Sequence, residues 1–378
     1  MNKIKFNSPF LTGKEINYIK DVFTENQFYG VGKYTKKCEK LISNQLGKKN
    51  ILLTDSCTSA LEIAALLIKD KIKDEVIVPS YGFSSTANAF AKLNMKVVFA
   101  EIEKCSLMLD IDDVKKKINK KTKAIVVIHY GGMAARINQL KNLCKENQII
   151  LIEDTAQGYG CKFNNNNLGT IGDMGCFSFH ETKNIHSGLG GAIYIKSNKD
   201  YSRAKSIRER GTNRHKVIDG SVNKYSWTEM GGSFYPTEIQ AAFLYSQLKN
   251  NNANIQIRKK LHKIYYSRLS LLKNKNKIFF IDNNKKIITN YHAFILIFNR
   301  KKLCDDIRKY LKKNHIDAFT GYTPLHSSKV GKQLGNKSSD LPVTENIAKK
   351  ILRLPLHTNL KEQDVEKICR LINLYFKT

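Results

Sequence analysis

Through the first 200 residues, short apolar runs alternate with stretches whose apolar positions recur at helical spacing. The runs at 51–54, 76–79, 96–102, 124–129 and 149–153 predict strands. The stretches at 59–69, 84–93, 112–118 and 137–147 predict the helices between them. The strand runs are continuous Val and Ile, not strict alternation, which fits strands buried on both faces. Repeated strand–helix–strand units imply an α/β fold, a mostly parallel sheet sandwiched by helices.

From Gly158 the rhythm changes. Loops holding Gly169, Gly172 and Gly175 lead to short strand-like runs at 176–180 and 192–196. Helical patterns follow at 202–209 and 237–248, the second amphipathic, and a polar Asn/Lys stretch at 249–260 opens a linker helix. Patterns at 291–298, 301–314 and 365–375 suggest a smaller unit. The expected division is a large α/β domain over 1–250 and a small C-terminal α+β domain over 251–378, with no internal repeat.

Composition narrows the class. With 378 residues, 42% hydrophobic and 26% charged, the chain has enough apolar material for a core and is neither disordered, collagenous nor a disulfide scaffold. No apolar run approaches the roughly 20 residues that cross a bilayer. The start, M-N-K-I-K-F-N-S-P-F, lacks the apolar stretch and cleavage site of a signal peptide, so a cytoplasmic protein is expected, without a membrane partner. Eight dispersed cysteines without a C-x-x-C pair suit a reducing compartment and give no zinc-like spacing, so no metal is expected. The net charge of +31 raises the question of nucleic acid. The excess is mostly Lys and rises together with Asn along the whole chain, with no basic arm, finger or basic–aromatic motif. Solvated surface lysines, which help to attract an anionic substrate, are the preferred reading, and no nucleic-acid partner is expected.

Ligands of α/β sheets sit beyond the carboxyl ends of the strands. The predicted exits carry Ser56-Cys57-Thr58, Tyr81-Gly82-Phe83, His129-Tyr130-Gly131-Gly132 and Asp154-Thr155-Ala156-Gln157. The turn 54–59 runs straight into a helix, where free N–H groups and hydroxyls suit a phosphate, although for the turn alone a plain N-cap by Ser56 or Thr58 is the preferred reading. Asp154 ends a buried strand and needs a partner, for which a pyridinium N–H, an Arg or a Lys would serve. Glu153 is expected on the opposite face. In C-F-S-F-H-E-T-K-N (176–184), Phe177 and Phe179 alternate with Ser178 and His180, as in a half-buried strand, and the chain leaves it through Lys183 toward Gly188, Gly190 and Gly191. A lysine held beside apolar surface is a candidate amine nucleophile, although most lysines are simply solvated.

Taken together, S-C-T-S-A-L (56–61), P-S-Y-G-F-S-S-T-A-N-A (79–89), E-D-T-A-Q (153–157), G-D-M-G-C-F-S-F-H-E-T-K-N (172–184) and R-E-R-G-T-N-R (208–214) resemble the sugar-nucleotide aminotransferases of the DegT/DnrJ/StrS family, fold-type I enzymes dependent on pyridoxal 5′-phosphate (PLP). The likeness runs from residues 6–12 to L-R-L-P-L (352–356). The F-H-E-T-K-N and G-T-N-R pair is most similar to the family's dTDP-4-amino-4,6-dideoxygalactose transaminases of surface-polysaccharide (lipopolysaccharide O-antigen) synthesis.

The resemblance implies Lys183 as the lysine that bonds the cofactor aldehyde, Asp154 as the acid paired with the pyridine nitrogen, and Gln157 and Phe83 as neighbours of its ring. Ser178 with Ser56, Cys57 and Thr58 would cradle the phosphate, while Tyr322 and His326 would face the substrate. A substrate diphosphate needs cationic donors, and Arg214, Lys224 and Lys36 lie in candidate segments, with Tyr29 offering an aromatic face in the loop 28–33. The implied reaction moves the amino group of L-glutamate to a dTDP-linked 4-keto-6-deoxyhexose in a homodimer with shared sites, with amination at C3 the alternative. Two positions depart from the family. Leu189 stands in G-L-G-G (188–191) where many members carry Glu, and Phe234-Tyr235-Pro236 precede Thr237 where many use an Asn to reach the partner subunit's phosphate.

Overall fold

The computed structural model describes residues 3–69, 74–281 and 286–377. Among these residues a seven-stranded sheet is built from β1 (Ile51–Thr54), β2 (Glu75–Pro79), β3 (Lys96–Ala100), β4 (Thr122–Ile128) and β5 (Ile150–Asp154), together with two later strands. The hairpin strands β6 (Lys162–Phe163) and β7 (Asn166–Asn167) intervene before β8 (Met174–Ser178) and β9 (Gly191–Ile195) complete the sheet. The order is β1-β9-β8-β5-β4-β2-β3. Every strand runs in one direction except β9, which pairs antiparallel with both β1 and β8.

β1, β2, β5, β8 and β9 are buried almost throughout, as their Val, Ile and Leu content requires when helices cover both faces. One cluster of buried side chains, including Ile77, Ile125, Val127 and Leu151, packs on one face. Val76, Val78, Val126 and Ile152 belong to the other. The expected half-buried character of 176–180 is a point of difference: Phe177 and Phe179 are fully buried, and Ser178 is buried too. Side chains of β8 join buried clusters on both faces of the sheet, Met174 and Cys176 on one and Phe177 on the other, so neither face meets bulk water.

The second half forms a four-stranded antiparallel sheet, β10 (Ile278–Phe279), β12 (Phe294–Phe298), β14 (Ile351–Leu354) and β13 (Phe319–Thr320), in that order. Between β10 and β12, β11 (Ile287–Ile288) pairs instead with β6. The long helix Asn251–Asn274 and the helix Glu362–Tyr375 pack on the sheet through Leu261, Tyr265, Leu269, Val365 and Ile372. The expected division near residue 250 falls just before that long helix. The N-terminus crosses it: Ile4 bridges Ile316 and lies in the same buried cluster as the C-terminal helices.

Two helices, Glu15–Glu25 and Lys33–Leu46, lie where no element was predicted. The second starts without a side-chain cap of its own. Glu238, distant in sequence, supplies one, accepting the N–H groups of Gly32, Tyr34 and Thr35. A carboxylate at a helix N-terminus satisfies orphan donors and opposes the dipole. A Cβ on Gly32 would collide with that carboxylate at 2.6 Å, so the sharp entry needs glycine. Among the described residues no helix is long and apolar enough to cross a membrane.

Candidate active site

β5 and β8 are parallel neighbours that end side by side, with Asp154 paired to Cys176 in the ladder. Their exits, together with those of β1 and β2, open into a cavity of about 560 Å³. Asp154, Gln157, Ser178 and Lys183 line it. So do Ser56, Cys57, Thr58 and Phe83. The opposite wall comes from the four-stranded sheet and its loops, through His292, Tyr322 and Arg353.

Asp154 is buried and holds two donors, the Thr86 hydroxyl at 2.6 Å and the Ala156 N–H at 3.1 Å. It forms no ion pair with any described residue. Glu153, one residue earlier, points to the other face of the sheet, where it accepts the N–H groups of Gly169, Ile171 and Gly172 and meets His129 at 2.9 Å. Alternation along one strand thus separates a structural carboxylate from one facing the cavity.

Ser56 caps the helix Cys57–Ile68 by accepting the Ser59 N–H at 3.1 Å. The plain N-cap reading therefore holds for its hydroxyl. The N–H groups of Cys57 and Thr58 have no intrahelical acceptor and point out of the helix start. β9 presses against this turn: a Cβ on Gly191 would lie 2.3 Å from the Ser56 carbonyl carbon and 2.4 Å from the Cys57 nitrogen. Gly191 also pairs with Ser178, so one glycine lets the two hydroxyl-bearing segments come together. Burial, with the Asp154 charge beside it, pushes the Cys57 thiol well up, which keeps it neutral.

Lys183 sits on the loop after β8, half-buried at the cavity wall. Burial pushes its amine below the usual lysine range; the Asp154 carboxylate pulls it back, and Arg353 adds to the push. Beside it, Asn184 donates to the Asn290 carbonyl at 2.7 Å, and its side-chain oxygen faces His292 Nδ1 at 3.1 Å. Burial and the nearby cations Lys183, Arg258 and Arg353 hold His292 well below the histidine range. Its neutral ring therefore donates from Nδ1 and leaves Nε2 as an acceptor. Underneath, the Arg258 guanidinium is buried and clasps Asn254 and the carbonyls of His292 and Leu356.

Gln157 accepts the Gly131 N–H at 2.7 Å and donates to the Tyr322 hydroxyl at 3.3 Å. Phe83 is 60% exposed, with its ring 6.2 Å from that of Tyr322. Of the six residues named for the substrate, Tyr29, Lys36, Arg214, Lys224, Tyr322 and His326, only Tyr322 lines the cavity. His326 is fully buried elsewhere, its Nδ1 2.6 Å from the Ser80 hydroxyl and its Nε2 3.8 Å from Glu345. The cause is local: Leu325 donates its N–H to the Ser80 carbonyl, which turns the next side chain into the core. Tyr29 and Arg214 also stand outside the cavity. Tyr29 is 60% exposed against Tyr235, and Arg214 pairs with Glu209 at 3.5 Å and reaches the neighbourhood of Gly30.

Residues 9–373 match the DegT/DnrJ/EryC1/StrS aminotransferase family. The chain belongs to this family. Among its relatives is a GDP-perosamine synthase of Vibrio cholerae, 30% identical over 374 residues, 97% of this chain and 98% of that one. Another, at 25% identity over 372 residues (97% and 94% of the two chains), is the dTDP-4-dehydro-2,3,6-trideoxy-D-glucose 4-aminotransferase of Saccharopolyspora spinosa. Among solved structures, Helicobacter pylori PseC, an aminotransferase involved in the biosynthesis of pseudoaminic acid, superposes with a TM-score of 0.91 at 25% identity, covering all of both chains.

The protein is thus a PLP-dependent sugar aminotransferase. The cavity of this aminotransferase fits the cofactor on its own terms. A buried carboxylate without a cation suits a protonated ring nitrogen, free helix-start N–H groups suit a phosphate, and a lysine of lowered basicity suits an aldehyde. The sequence reading assigned no role to Thr86, His292 or Arg353. Thr86 lies inside a quoted motif, P-S-Y-G-F-S-S-T-A-N-A, without a signal of its own. An arginine interrupting the apolar run I-L-R-L-P-L was the legible signal for Arg353.

Proposed function

We propose that this aminotransferase moves the amino group of L-glutamate to the 4-keto carbon of a nucleotide-linked 6-deoxyhexose, with a dTDP-linked sugar as acceptor and the galacto-configured 4-amino-4,6-dideoxyhexose as product for a surface polysaccharide. The observation that carries the reading is the meeting of Lys183, Asp154 and the Ser56–Thr58 turn in one cavity. When bound, PLP supplies an aldehyde that takes up amines and a protonated ring that draws electrons from the adjacent carbon. Asp154, fixed by Thr86, keeps that ring nitrogen protonated. Ser178 and the turn 56–58 hold the phosphate, and Gln157 and Phe83 flank the ring. Lys183, neutral more readily than a surface lysine, would hold the aldehyde and, once its amine is free, would serve as the proton-carrying base of the cavity.

We propose further a cytoplasmic homodimer in which Tyr29 and Arg214 serve the partner's cavity. Its support is their position outside this chain's own cavity, near the exposed Tyr225, Trp227 and Met230 on a neighbouring loop. On that reading the Tyr235 turn occupies the place of the family's reaching Asn.

The test is incubation of the PLP-loaded protein with L-glutamate and the 4-keto- and 3-keto-6-deoxyhexoses linked to dTDP, GDP and UDP. Product is read by mass spectrometry and the amine's position by NMR. The expected product is aminated at C4 on the dTDP sugar. Transfer only to a GDP- or UDP-sugar replaces the base, amination at C3 replaces the position, and absence of PLP uptake overturns the reading. Sedimentation at twice 43.2 kDa is expected for the dimer.

A further inference from the structure

Arg353 lies in the middle of β14 and interrupts an otherwise apolar strand that pairs with β12 and β13. A charge there carries a desolvation cost that some partner must offset. Among the described residues no carboxylate does so. The guanidinium reaches the Thr320 carbonyl through one nitrogen at 3.3 Å and hydrogen-bonds the Tyr322 side chain, its Nε is buried without an acceptor, and no carboxylate pairs with it. Two rings hold it from either side, Phe6 with its centroid at 5.4 Å and Tyr322 at 5.3 Å. Both rings line the cavity, as does Arg353.

The charges around the cavity then leave one vacancy. Its lining carries a single carboxylate, Asp154, and the cations Lys183 and Arg353. Asp154 is committed to the cofactor ring and Lys183 to its aldehyde. Arg353 is the remaining charge, in a largely apolar chamber, and it meets no anion of this chain. The two substrates differ in what they bring close to the reacting carbon. The sugar brings hydroxyls, with its diphosphate separated from C4 by the width of the ring. The amino-acid donor brings a carboxylate bonded directly to the carbon that loses its amine. A guanidinium fork matches that carboxylate with two parallel hydrogen bonds.

We infer that Arg353 is the carboxylate-binding residue for the amino-acid donor, presented by the four-stranded sheet across the cavity from Lys183 and clamped between Phe6 and Tyr322. The inference rests on the aminotransferase reading of this cavity. Arg353 shares the cavity lining with both Lys183 and His292. The aromatic clamp fixes the fork before the donor arrives, so less side-chain entropy is lost on binding.

The probe is glutarate, a dicarboxylate without an amine, titrated into PLP-loaded enzyme and followed by the cofactor absorbance. The wild type is expected to bind it. Arg353→Met is expected to weaken binding by roughly 10- to 100-fold, the range for losing hydrogen bonds to a charged group, and Arg353→Lys to lie between. In steady state, the KM for L-glutamate rises in Arg353→Met while that for the ketosugar stays level. Retained PLP absorbance in both variants shows that the cavity is intact. The inference falls if glutarate binding is unchanged in Arg353→Met, if the wild type does not bind glutarate, or if the ketosugar KM rises in place of the glutamate KM, which would assign the guanidinium to the diphosphate. A wild type that binds glutarate through Arg353 and takes the amino group from L-glutamate, but passes it to none of these ketosugars, sinks the proposed acceptor and leaves this inference standing. Amino transfer with an indifferent Arg353 does the reverse.

Discussion

The cavity wall delivered by the seven-stranded sheet is crowded with donors and acceptors, whereas the wall delivered by the four-stranded sheet is aromatic and carries one guanidinium. The first wall is made from strand exits that lie side by side, so its side chains are fixed by ladder hydrogen bonds a residue or two away. The second is assembled from a mid-strand residue, a loop residue and the segment before β12, brought together only by packing. The difference separates two tasks. Chemistry on one bound group repeats in each half of a transamination and needs one unchanging geometry. Accepting two dissimilar substrates in turn suits broad apolar contact with one charged anchor.

Breaking the first wall should therefore cost far more than breaking the second. Lys183→Ala is expected to abolish the absorbance of cofactor bonded to protein and to lower kcat by about 10⁴-fold or more, the upper range for losing a positioned acid–base group. A spectrum and a turnover assay measure both; a variant that retains either would place the amine elsewhere. Asp154→Asn keeps the shape and the bond to Thr86 but loses the charge. We expect a fall of about 100-fold in kcat, with PLP still bound, because the ring nitrogen is no longer held protonated. A loss below threefold would mean that the buried carboxylate is structural.

The same contrast explains what was legible in the sequence. The strands of the large sheet announced themselves as unbroken apolar runs, and reading their exits led to Asp154, Gln157 and the Ser56–Thr58 turn. Asp154 closes β5, one residue beyond the predicted end. The start of the helix Lys33–Leu46 leaves no local trace, because its cap is Glu238, some 200 residues away, although its buried Tyr34, Cys38, Ile42 and Leu46 do recur at helical spacing. His326 and Tyr322 are four residues apart and read as one segment, yet a single backbone bond from Leu325 to Ser80 sends one into the core and leaves the other on the cavity. Arg353 and His292 face Lys183 only because two sheets pack against each other, a relation absent from either stretch of sequence.

A milder cut into the first wall tests its crowding. Gly191→Ala would place a methyl group 2.3 Å from Ser56 backbone, which cannot rotate away. The turn must shift, at a cost of about 1–3 kcal/mol in stability and with PLP held about tenfold more weakly, since the helix-start N–H groups move with it. Thermal melting and PLP titration measure the two. A variant with wild-type affinity would detach the turn from the phosphate.

The smallest effect expected is in pH, and it sharpens the contrast by asking which wall loosens first. His262 lies against the rings of Tyr291 and Phe294, and burial pushes it down to about 4. Burial also lowers His292 and His357 in the same half of the chain. An unfolded histidine takes up its proton near pH 6.5, so between 6.5 and 4 the unfolded state binds more protons and stability falls as pH falls. For His262 alone the full loss is at most about 3 kcal/mol. The carboxylates of Glu15 and Glu75 are held low by their hydrogen-bond and ion-pair partners, and that contribution is lost only as pH drops below about 4.5. His186 and His215 contribute in the first window from the other half, through burial as well, but neither touches the large sheet's central strands as His262 touches β12. Hydrogen exchange corrected for intrinsic rate should therefore quicken more in β12 than in β4 between pH 7 and 5. In His262→Phe, whose ring suits the same aromatic neighbours, that excess should shrink. Equal quickening in both strands would mean that the two walls open as one cooperative unit, and the division of labour between them would then be chemical and not mechanical.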